Sequence, residues 1–346
     1  MNSNSEHDTF FMRRALELAT LGQGMVAPNP MVGCVVVYNN QVIGEGWHRQ
    51  YGQPHAEVNA IASVADKSLL SLSTVYVTLE PCSHFGKTPP CADLLIHHQV
   101  KRVVICNLDI NPLVGGKGIE KLRQSGIDVT TGVLENEGRV LNRRFFCFIE
   151  KQRPYLILKW AESADGFVAK PNFEPTPISN QLSRKWVHQW RSQEDAIMVG
   201  TRTALYDNPR LNVRDWSGRN PVRVVIDKQL SLSNALHLFD QSQPTLVYNH
   251  VQDRQESDLS WIKTPAEINL IDAILANLYQ RKIQSVLVEG GTHLLESFLA
   301  QDLWDEIRVI QSPNYLQEGI KAPDFKATKL FSQINLMGDV LRIYRR

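Results

Sequence analysis

The sequence lacks any long apolar run. No window of this 346-residue sequence contains the roughly eighteen consecutive apolar residues that a membrane helix requires. Residues 1–22 contain no apolar leader segment with a cleavage site. Cysteine is scarce as well, with five residues scattered along the chain, which excludes a disulfide scaffold. We therefore expect a cytoplasmic protein with no membrane partner.

An excess of charge of one sign is also missing. The chain has 37 lysines and arginines against 36 aspartates and glutamates. Residues 1–150 include 13 basic and 14 acidic residues, and residues 151–346 include 24 basic and 22 acidic residues. Neither part has the basic surplus typical of proteins that bind polyanions. This balance favours a small-molecule substrate over nucleic acid.

The length and one polar segment predict two domains. A chain of 346 residues is longer than a single hydrophobic core usually accommodates. Residues 150–154 are polar and end in proline, and an apolar segment begins directly afterwards at Tyr155. We place the boundary there, with domains at 1–150 and 151–346.

Both predicted domains alternate strands and helices, which is typical of α/β folds with helices on both faces of a sheet. In the first, the apolar face of Phe11, Ala15, Leu18 and Ala19 predicts an opening helix with Asp8 or Thr9 as its N-cap. Apolar runs predict strands at 32–38, 42–46, 74–79, 102–106 and 127–130, with helices at 56–65, 91–98 and 118–124. The second has predicted strands at 155–160, 197–200, 222–226, 245–248 and 285–288, with helices at 182–190 and 273–279.

One group of residues in the first domain has the composition of a catalytic zinc site. His55 opens a predicted helix, Cys82 follows a predicted strand, and Cys91 opens the next helix after a proline. A cysteine at a helix N-terminus is more easily a thiolate, the form that binds metal. One histidine and two cysteines leave the fourth tetrahedral position for water, and Glu57 can shuttle protons to and from it. This combination favours a zinc-dependent deaminase.

Two other interpretations of the zinc residues remain open at this point. The general deaminase pattern has two residues between its cysteines, whereas eight separate Cys82 from Cys91. The chain could be a tRNA or nucleic-acid deaminase with an appended binding domain, although its charge balance argues against this. It could also be a non-catalytic protein with a closed structural zinc, for which His84 is the nearby candidate as fourth ligand.

The second domain has glycines after several predicted strands, but no Gly-x-Gly-x-x-Gly motif of a Rossmann dinucleotide site. Gly200 follows one strand, and Gly290-Gly291-Thr292 follows another and precedes a helix. Such glycines allow backbone N–H groups to approach a phosphate. Taken alone, they equally fit an ordinary turn between a strand and a helix.

These motifs together resemble the bifunctional deaminase/reductase family of riboflavin biosynthesis along essentially the full chain. The matching segments of the first domain are Ala27-Pro28-Asn29-Pro30-Met31-Val32-Gly33, Gly46-Trp47-His48, His55-Ala56-Glu57 and residues 80–91. The long segment between the cysteines is a feature of that family. In the second domain the matching segments are 159–166, 200–214 and 288–292.

The resemblance implies a cytidine-deaminase-like three-layer α/β/α fold for the first domain. It implies zinc on His55, Cys82 and Cys91, and Glu57 as the catalytic proton shuttle. It also implies contacts to a pyrimidine or its ribose phosphate, made by Asn29, His48, His84 and Lys87.

For the second domain the resemblance implies a dihydrofolate-reductase-like α/β fold that uses NADPH. Substrate contacts are implied for Lys159, Arg191, Leu211, Arg214 and Glu289. Cofactor contacts are implied for Ala161, Thr203, Asp207, Gly291, Thr292, His293, Leu294, Leu295, Glu296 and Ser297. The family's Ser-x-Trp segment reads Pro175-Thr176-Pro177 in this chain, which predicts altered contacts to the cofactor.

The expected reaction has two steps. Zinc-dependent hydrolysis removes an amino group from a diaminopyrimidinone ribosylamine phosphate, and NADPH then reduces the ribosyl side chain to ribityl. We expect a homo-oligomer, either a dimer or a tetramer.

Overall fold

The computed structural model describes residues 3–83, 89–110, 115–174, 176–326 and 329–346. The chain divides into two compact units, Met1–Lys151 and Gln152–Arg346. Each unit has its own sheet and its own apolar core.

The first unit alternates helices and strands along the chain. Its elements are α1 (Ser3–Thr20), β1 (Gly33–Tyr38), β2 (Gln41–Trp47), α2 (Ala56–Ser63), a 3₁₀ helix (Lys67–Leu72), β3 (Thr74–Leu79), α3 (Cys91–His97), β4 (Arg102–Asn107), α4 (Lys117–Gln124), β5 (Asp128–Thr131), α5 (Glu135–Leu141) and α6 (Arg143–Lys151). Its described strands form one five-stranded sheet in the order β2-β1-β3-β4-β5. The pairs β3–β4 and β4–β5 are parallel, and β1 pairs antiparallel with both β2 and β3.

The three central strands β1, β3 and β4 are buried on both faces, so most of their positions are apolar. Cys34 and Val36 of β1 face a core built with α2, α3 and α4, whereas Val35 and Val37 face α1. The same alternation continues along β3 and β4. The predicted three-layer α/β/α arrangement of the first domain is confirmed.

Helix α1 begins earlier than predicted. Its apolar face is buried as expected, but the helix starts at Ser3, so the prediction of Asp8 or Thr9 as N-cap was wrong. The carboxylate of Asp8 instead accepts hydrogen bonds from both terminal nitrogens of Arg102 at 2.8 Å and from the hydroxyl of Tyr76 at 3.0 Å. A buried ion pair of this kind has no local sequence pattern, since Asp8 lies on α1 and Arg102 lies on β4.

The second unit is built around a larger sheet. Its elements are β6 (Tyr155–Glu162), β7 (Phe167–Ala169), α7 (Gln181–Gln193), β8 (Ala196–Gly200), α8 (Thr201–Asp207), β9 (Val222–Ile226), a 3₁₀ helix (His237–Phe239), β10 (Thr245–Asn249), β11 (Arg254–Glu256), β12 (Leu259–Lys263), α9 (Leu270–Gln280), β13 (Ser285–Val288), α10 (Thr292–Ala300), β14 (Glu306–Gln311), β15 (Ile320–Lys321), β16 (Leu330–Leu336) and β17 (Asp339–Arg345). In the described residues ten of these strands pair in the order β11-β12-β10-β9-β8-β13-β6-β14-β17-β16.

The central strands of this sheet run in parallel. Strand β13 lies between β6 and β8, and β8 pairs in parallel with β9. Their carboxyl ends therefore meet at one edge of the sheet, where α/β folds place their ligand sites. The two faces are covered by separate apolar clusters, one formed with α9 and α10 and the other with α8 and the 3₁₀ helix.

No helix in the described part of the chain is long and apolar enough to cross a membrane.

The contact between β2 and α2 depends on the small size of Gly46. A Cβ at this position would fall 2.6 Å from the carbonyl oxygen of Ala56 and against the backbone nitrogen of Ala60. Backbone atoms cannot move aside as a flexible side chain can. Gly46 therefore sets how closely α2 approaches the sheet.

We predict that Gly46→Ala lowers the free energy of unfolding by about 1–3 kcal/mol, because the added carbon overpacks the contact between β2 and α2. Urea unfolding of the full chain measures this effect. Gly200→Ala is the matched control, since the nearest atoms to its added carbon lie 3.8 Å away. Equal stability of the two variants would contradict the prediction.

Candidate active sites

Three metal-ligating side chains converge in the first unit. The ligand atoms of His55, Cys82 and Cys91 all lie within 4.8 Å of one another. The Nδ1 atom of His55 is 3.7 Å from Sγ of Cys82 and 3.3 Å from Sγ of Cys91. No other group of this kind occurs in the part of the chain that the structure describes. One nitrogen and two sulfur ligands at this spacing fit a zinc ion.

The ligands are held at the ends of secondary-structure elements. His55 is the N-cap residue of α2, and Cys91 is the first residue of α3. The backbone N–H of Cys91 donates to Sγ of Cys82 at 3.2 Å. Hydrogen bonds from Cys91 and His55 hold the pKa of the Cys82 thiol well below its usual range, against the opposing effect of burial. Cys82 is thus a thiolate at neutral pH, which is the form that binds metal.

Glu57 lies in the first turn of α2 and is only 3% exposed. Burial raises the pKa of its carboxyl group to about 7, and the neighbouring Cys82 thiolate adds to this effect. A carboxyl group with this pKa can both accept and release a proton near neutral pH. The structure therefore places a proton-transfer group beside the metal ligands.

Glu80 holds the segment next to Cys82, and the sequence analysis assigned it no role. Its carboxylate accepts hydrogen bonds from the backbone N–H groups of Gly116 at 3.0 Å, Gly118 at 3.0 Å and Ile119 at 3.3 Å. It thereby binds the start of α4 to the segment that carries Cys82. The only signal in the sequence was its place in the Glu80-Pro81-Cys82 motif.

Two of the predicted substrate residues contact each other. His48 is 2% exposed, and its Nδ1 lies 3.2 Å from the carbonyl oxygen of Pro54. If Nδ1 donates there, Nε2 is the acceptor for the amide Nδ2 of Asn29 at 3.1 Å. Burial lowers the pKa of His48, which favours this neutral form. His84 and Lys87, also predicted to contact substrate, lie outside the described residues.

The loop that carries Asn29 is held by a residue far along the chain. The side-chain oxygen of Asn142 accepts from the N–H of Met31 at 2.8 Å, and its amide donates to the carbonyl of Met31 at 2.8 Å. Asn142 is 2% exposed and directly precedes α6. Its position, 111 residues from Met31, explains why no local pattern in the sequence predicts this contact.

The second unit contains a cavity of about 1270 Å³ at the carboxyl ends of its central strands. This is larger than the roughly 300–1,000 Å³ of most small-molecule pockets, so it has room for a dinucleotide. Every residue predicted to contact the cofactor lines it: Ala161, Thr203, Asp207 and the run from Gly291 to Ser297. The backbone N–H of Gly291 donates to Oγ1 of Thr203 at 2.9 Å, which joins the start of α8 to the turn before α10.

A buried group of charges lies at the wall of this cavity. Glu289 accepts two hydrogen bonds from Arg191, at 3.0 and 2.9 Å, and its carboxylate is 3.7 Å from Nζ of Lys159. Burial acts to raise the pKa of Glu289, but the charges of Arg191 and Lys159 outweigh it and hold the pKa at about 2. Lys159 and Glu289 line the cavity, whereas Arg191 reaches it through Glu289.

The remaining predicted substrate residues lie on the segment after α8. Arg214 donates to the side chain of Asn212 at 3.3 Å, and Arg191 donates to the backbone carbonyl of the same residue at 3.3 Å. The two arginines are thus adjacent. Leu211 is 2% exposed and packs in the apolar core, so its side chain is not brought into the cavity.

Family models match both units. Residues 5–107 match the cytidine and deoxycytidylate deaminase zinc-binding region, and residues 154–321 match the RibD C-terminal domain. The first match contains all three candidate zinc ligands and Glu57. The second contains the whole charged group around Glu289.

Relatives match nearly the full length of the chain. It is 39% identical to the riboflavin biosynthesis protein RibD of Aquifex aeolicus over 92% of this chain and 90% of that protein. The chain belongs to the RibD family. It is also 36% identical to RibD of Escherichia coli, over 89% of this chain and 88% of that protein.

Solved structures support the same assignment. The structure of a diaminohydroxyphosphoribosylaminopyrimidine deaminase/5-amino-6-(5-phosphoribosylamino)uracil reductase from Thermotoga maritima is 37% identical, with a TM-score of 0.91 and 99% of each chain covered. One form of RibD from Acinetobacter baumannii is 35% identical, with a TM-score of 0.89 and the same coverage.

As a RibD family member, the chain is a bifunctional enzyme of riboflavin biosynthesis, with a deaminase and a reductase domain. The two folds predicted from the sequence are confirmed. Zinc and NADPH, the cofactors predicted for the two domains, are those of this family. The alternatives of a tRNA deaminase and of a non-catalytic zinc protein are not supported.

We predict that Glu80→Ala weakens zinc retention about 10- to 100-fold, because the backbone groups that hold the Cys82 segment lose their acceptor. Zinc content after dialysis against graded chelator measures this. Glu120→Ala removes an exposed carboxylate from α4 and is the control. Equal zinc retention by both variants would show that Glu80 does not support the metal site.

We predict a pH-dependent role in stability for Glu289. Its pKa is lowered in the folded enzyme, so its stabilising contribution is complete above the ordinary value of 4.5 and is lost as pH falls towards about 2. Glu289→Gln should therefore be less stable than the unsubstituted enzyme from pH 5 to 8, and the difference should shrink below pH 4.5. Denaturant unfolding at a series of pH values measures it.

Glu267→Gln replaces an exposed glutamate of the same unit and serves as the control for Glu289→Gln. A difference for Glu289→Gln that stays constant from pH 7 to 3 would contradict an ion-paired carboxylate.

Proposed function

We propose that residues 1–150 deaminate a diaminopyrimidinone ribosylamine phosphate and that residues 151–346 then reduce its ribosyl side chain to ribityl with NADPH. The observation that carries this proposal is the pairing of a His-Cys-Cys cluster and a proton-transfer carboxyl group in one unit with a dinucleotide-sized cavity in the other. The product of the first reaction is the substrate of the second.

In the deaminase, His55, Cys82 and Cys91 would hold zinc, which when bound supplies a polarised water for attack on the amino-bearing carbon. Glu57 would take a proton from the attacking water and deliver it to the leaving amino group, which departs as ammonia. A pKa of about 7 suits both halves of this transfer. Burial of Glu57 keeps bulk water from supplying the proton instead.

The same site recognises the pyrimidine through its surrounding loop. The side chain of Asn29 contacts His48, and the loop that carries Asn29 is held by the bond between Met31 and Asn142. The amide of Asn29 is therefore oriented before substrate arrives. An oriented amide can pair with the edge of a base. We assign His84 and Lys87 to the substrate as well, with the lysine on its phosphate.

In the reductase, NADPH would lie along Ala161, Thr203, Asp207 and Gly291 to Ser297, and it supplies the hydride when bound. The start of α10, after the Gly290-Gly291 turn, would offer backbone N–H groups to the cofactor's phosphates. The hydrogen bond from the N–H of Gly291 to the hydroxyl of Thr203 holds this turn in place.

The substrate of the reductase lies against the charged group. Lys159 and Glu289 contact its sugar, and Arg191 and Arg214 bind its phosphate, for which planar guanidinium groups are well suited. Leu211 contributes through the backbone of its segment. Because Glu289 neutralises part of the charge of Arg191 and Lys159, these side chains stay ordered before substrate binds.

We propose that the enzyme works in the cytoplasm as a homo-oligomer, a dimer or a tetramer. The near balance of 37 basic and 36 acidic residues supports a small-molecule substrate and argues against nucleic acid and membrane surfaces as partners.

We predict that Glu57→Gln abolishes ammonia release and, with it, NADPH oxidation when the diaminopyrimidinone ribosylamine phosphate is supplied. The amide cannot accept the proton, so the reductase receives no substrate. Adding the deaminated compound should restore NADPH oxidation to the rate of the unsubstituted enzyme. The rates of ammonia release and of loss of NADPH absorbance measure the two steps.

Glu137→Gln, an exposed position of the same unit, should leave both rates unchanged. Ammonia release that survives in Glu57→Gln would overturn the proposed role of Glu57. Failure of the deaminated compound to support NADPH oxidation in any variant would overturn the reductase assignment.

A further inference from the structure

Two aromatic side chains without a role in the proposed reactions line the reductase cavity. Phe173 and Tyr206 stack face to face, with ring centroids 4.4 Å apart and an angle of 12° between their planes. Both residues belong to the cavity lining. They come from elements 33 positions apart in sequence, the loop after β7 and the end of α8.

Helix α8 places Tyr206 on the cofactor side. Thr203, whose hydroxyl accepts from Gly291, lies three residues before Tyr206. Residues three apart occupy the same face of a helix. Tyr206 therefore lies one helical turn after Thr203, on the same face of α8 as the hydrogen bond to Gly291. Its side chain is 44% exposed. A large aromatic side chain with this much free surface is available for contact with a ligand.

The backbone at Phe173 is held in an uncommon conformation. Its φ is +59°, in the left-handed region that bulky side chains rarely adopt. Its N–H donates to the carbonyl of Lys170 at 3.2 Å, which closes a turn. Such a conformation persists only where surrounding contacts maintain it, and the stack on Tyr206 is one of them. The turn thus presents the Phe173 ring to α8.

The position of this pair matters because of the segment that follows. Thr176 and Pro177, which follow Phe173 in the chain, line the same cavity. Neither of these two residues has an aromatic ring. Phe173 and Tyr206 supply flat aromatic surface at the same cavity.

We propose that Phe173 and Tyr206 form an aromatic wall that contacts a planar ring of NADPH and thereby sets the enzyme's affinity for this cofactor. The proposal rests on the proposed binding of NADPH in this cavity. Stacked aromatic groups offer a broad face for a second planar ring, and they exclude water from it. A stack that only fastened the loop to α8 would leave the affinity for NADPH unchanged.

Fluorescence titration of the full-length enzyme with NADPH tests this wall. Phe173→Leu and Tyr206→Leu keep apolar bulk and remove the flat ring, and each should raise the Kd for NADPH about 2- to 12-fold, as expected for loss of one aromatic contact. Tyr206→Phe keeps the ring and should bind as the unsubstituted enzyme does. The double leucine variant should lose less than the two single effects combined, because the rings act as one unit.

Leu205→Ala is the control on α8, since Leu205 is 50% exposed and is not part of the described cavity lining. Ammonia release, which depends on the other unit, should be unchanged in every variant and reports that the chain is folded. Unchanged Kd in both leucine variants would overturn the aromatic wall alone. Absence of NADPH binding by the unsubstituted enzyme would overturn the proposed cofactor site together with the wall.

Discussion

Both active sites depend on the parallel pairing of central strands. In the first unit β3 runs parallel to β4, and the segment with Glu80 and Cys82 leaves the carboxyl end of β3. In the second unit β6, β13, β8 and β9 are parallel neighbours, and their carboxyl ends surround the cavity. Parallel strands need helical connections, and the helices begin at the same edge where the strands end. Ligand-binding residues are thereby gathered from distant parts of the chain.

Three carboxyl groups in this chain have different properties because their surroundings differ. Glu57 has burial as its dominant influence, so its pKa rises to about 7 and it can exchange protons. Glu289 has two cationic neighbours, so its pKa falls to about 2 and it remains charged. Glu80 has backbone N–H groups as partners and holds a loop. The same chemical group is thus suited to transfer protons, to pair with cations or to hold backbone N–H groups, according to what surrounds it.

The zinc site was predictable from the sequence because its ligands lie in short local motifs at the junctions of strands and helices. His55, Cys82 and Cys91 were identified by residue type and context, and the structure brings them together. The alternation of apolar segments likewise predicted most strands of the two sheets. Periodicity is a local property, and so are turn and helix-start signals.

The rest of the site was not predictable, because it depends on contacts between distant segments. Asn142 holds Met31 across 111 residues, and Asp8 pairs with Arg102 across 94. The local sequence around a polar residue in a helix or loop does not predict which distant residue it will contact. The Phe173–Tyr206 stack is of the same kind, since either aromatic residue alone would be assigned to a core or a surface.

The bond between Asn142 and Met31 has a consequence for the order in which the deaminase becomes complete. The matched zinc-binding region ends at residue 107 and contains every proposed ligand, but not Asn142. During synthesis the metal ligands therefore leave the ribosome well before the residue that fastens the base-recognition loop. The loop that carries Asn29 is consequently fixed by a residue that is made later than the candidate metal ligands and later than the partners of Glu80.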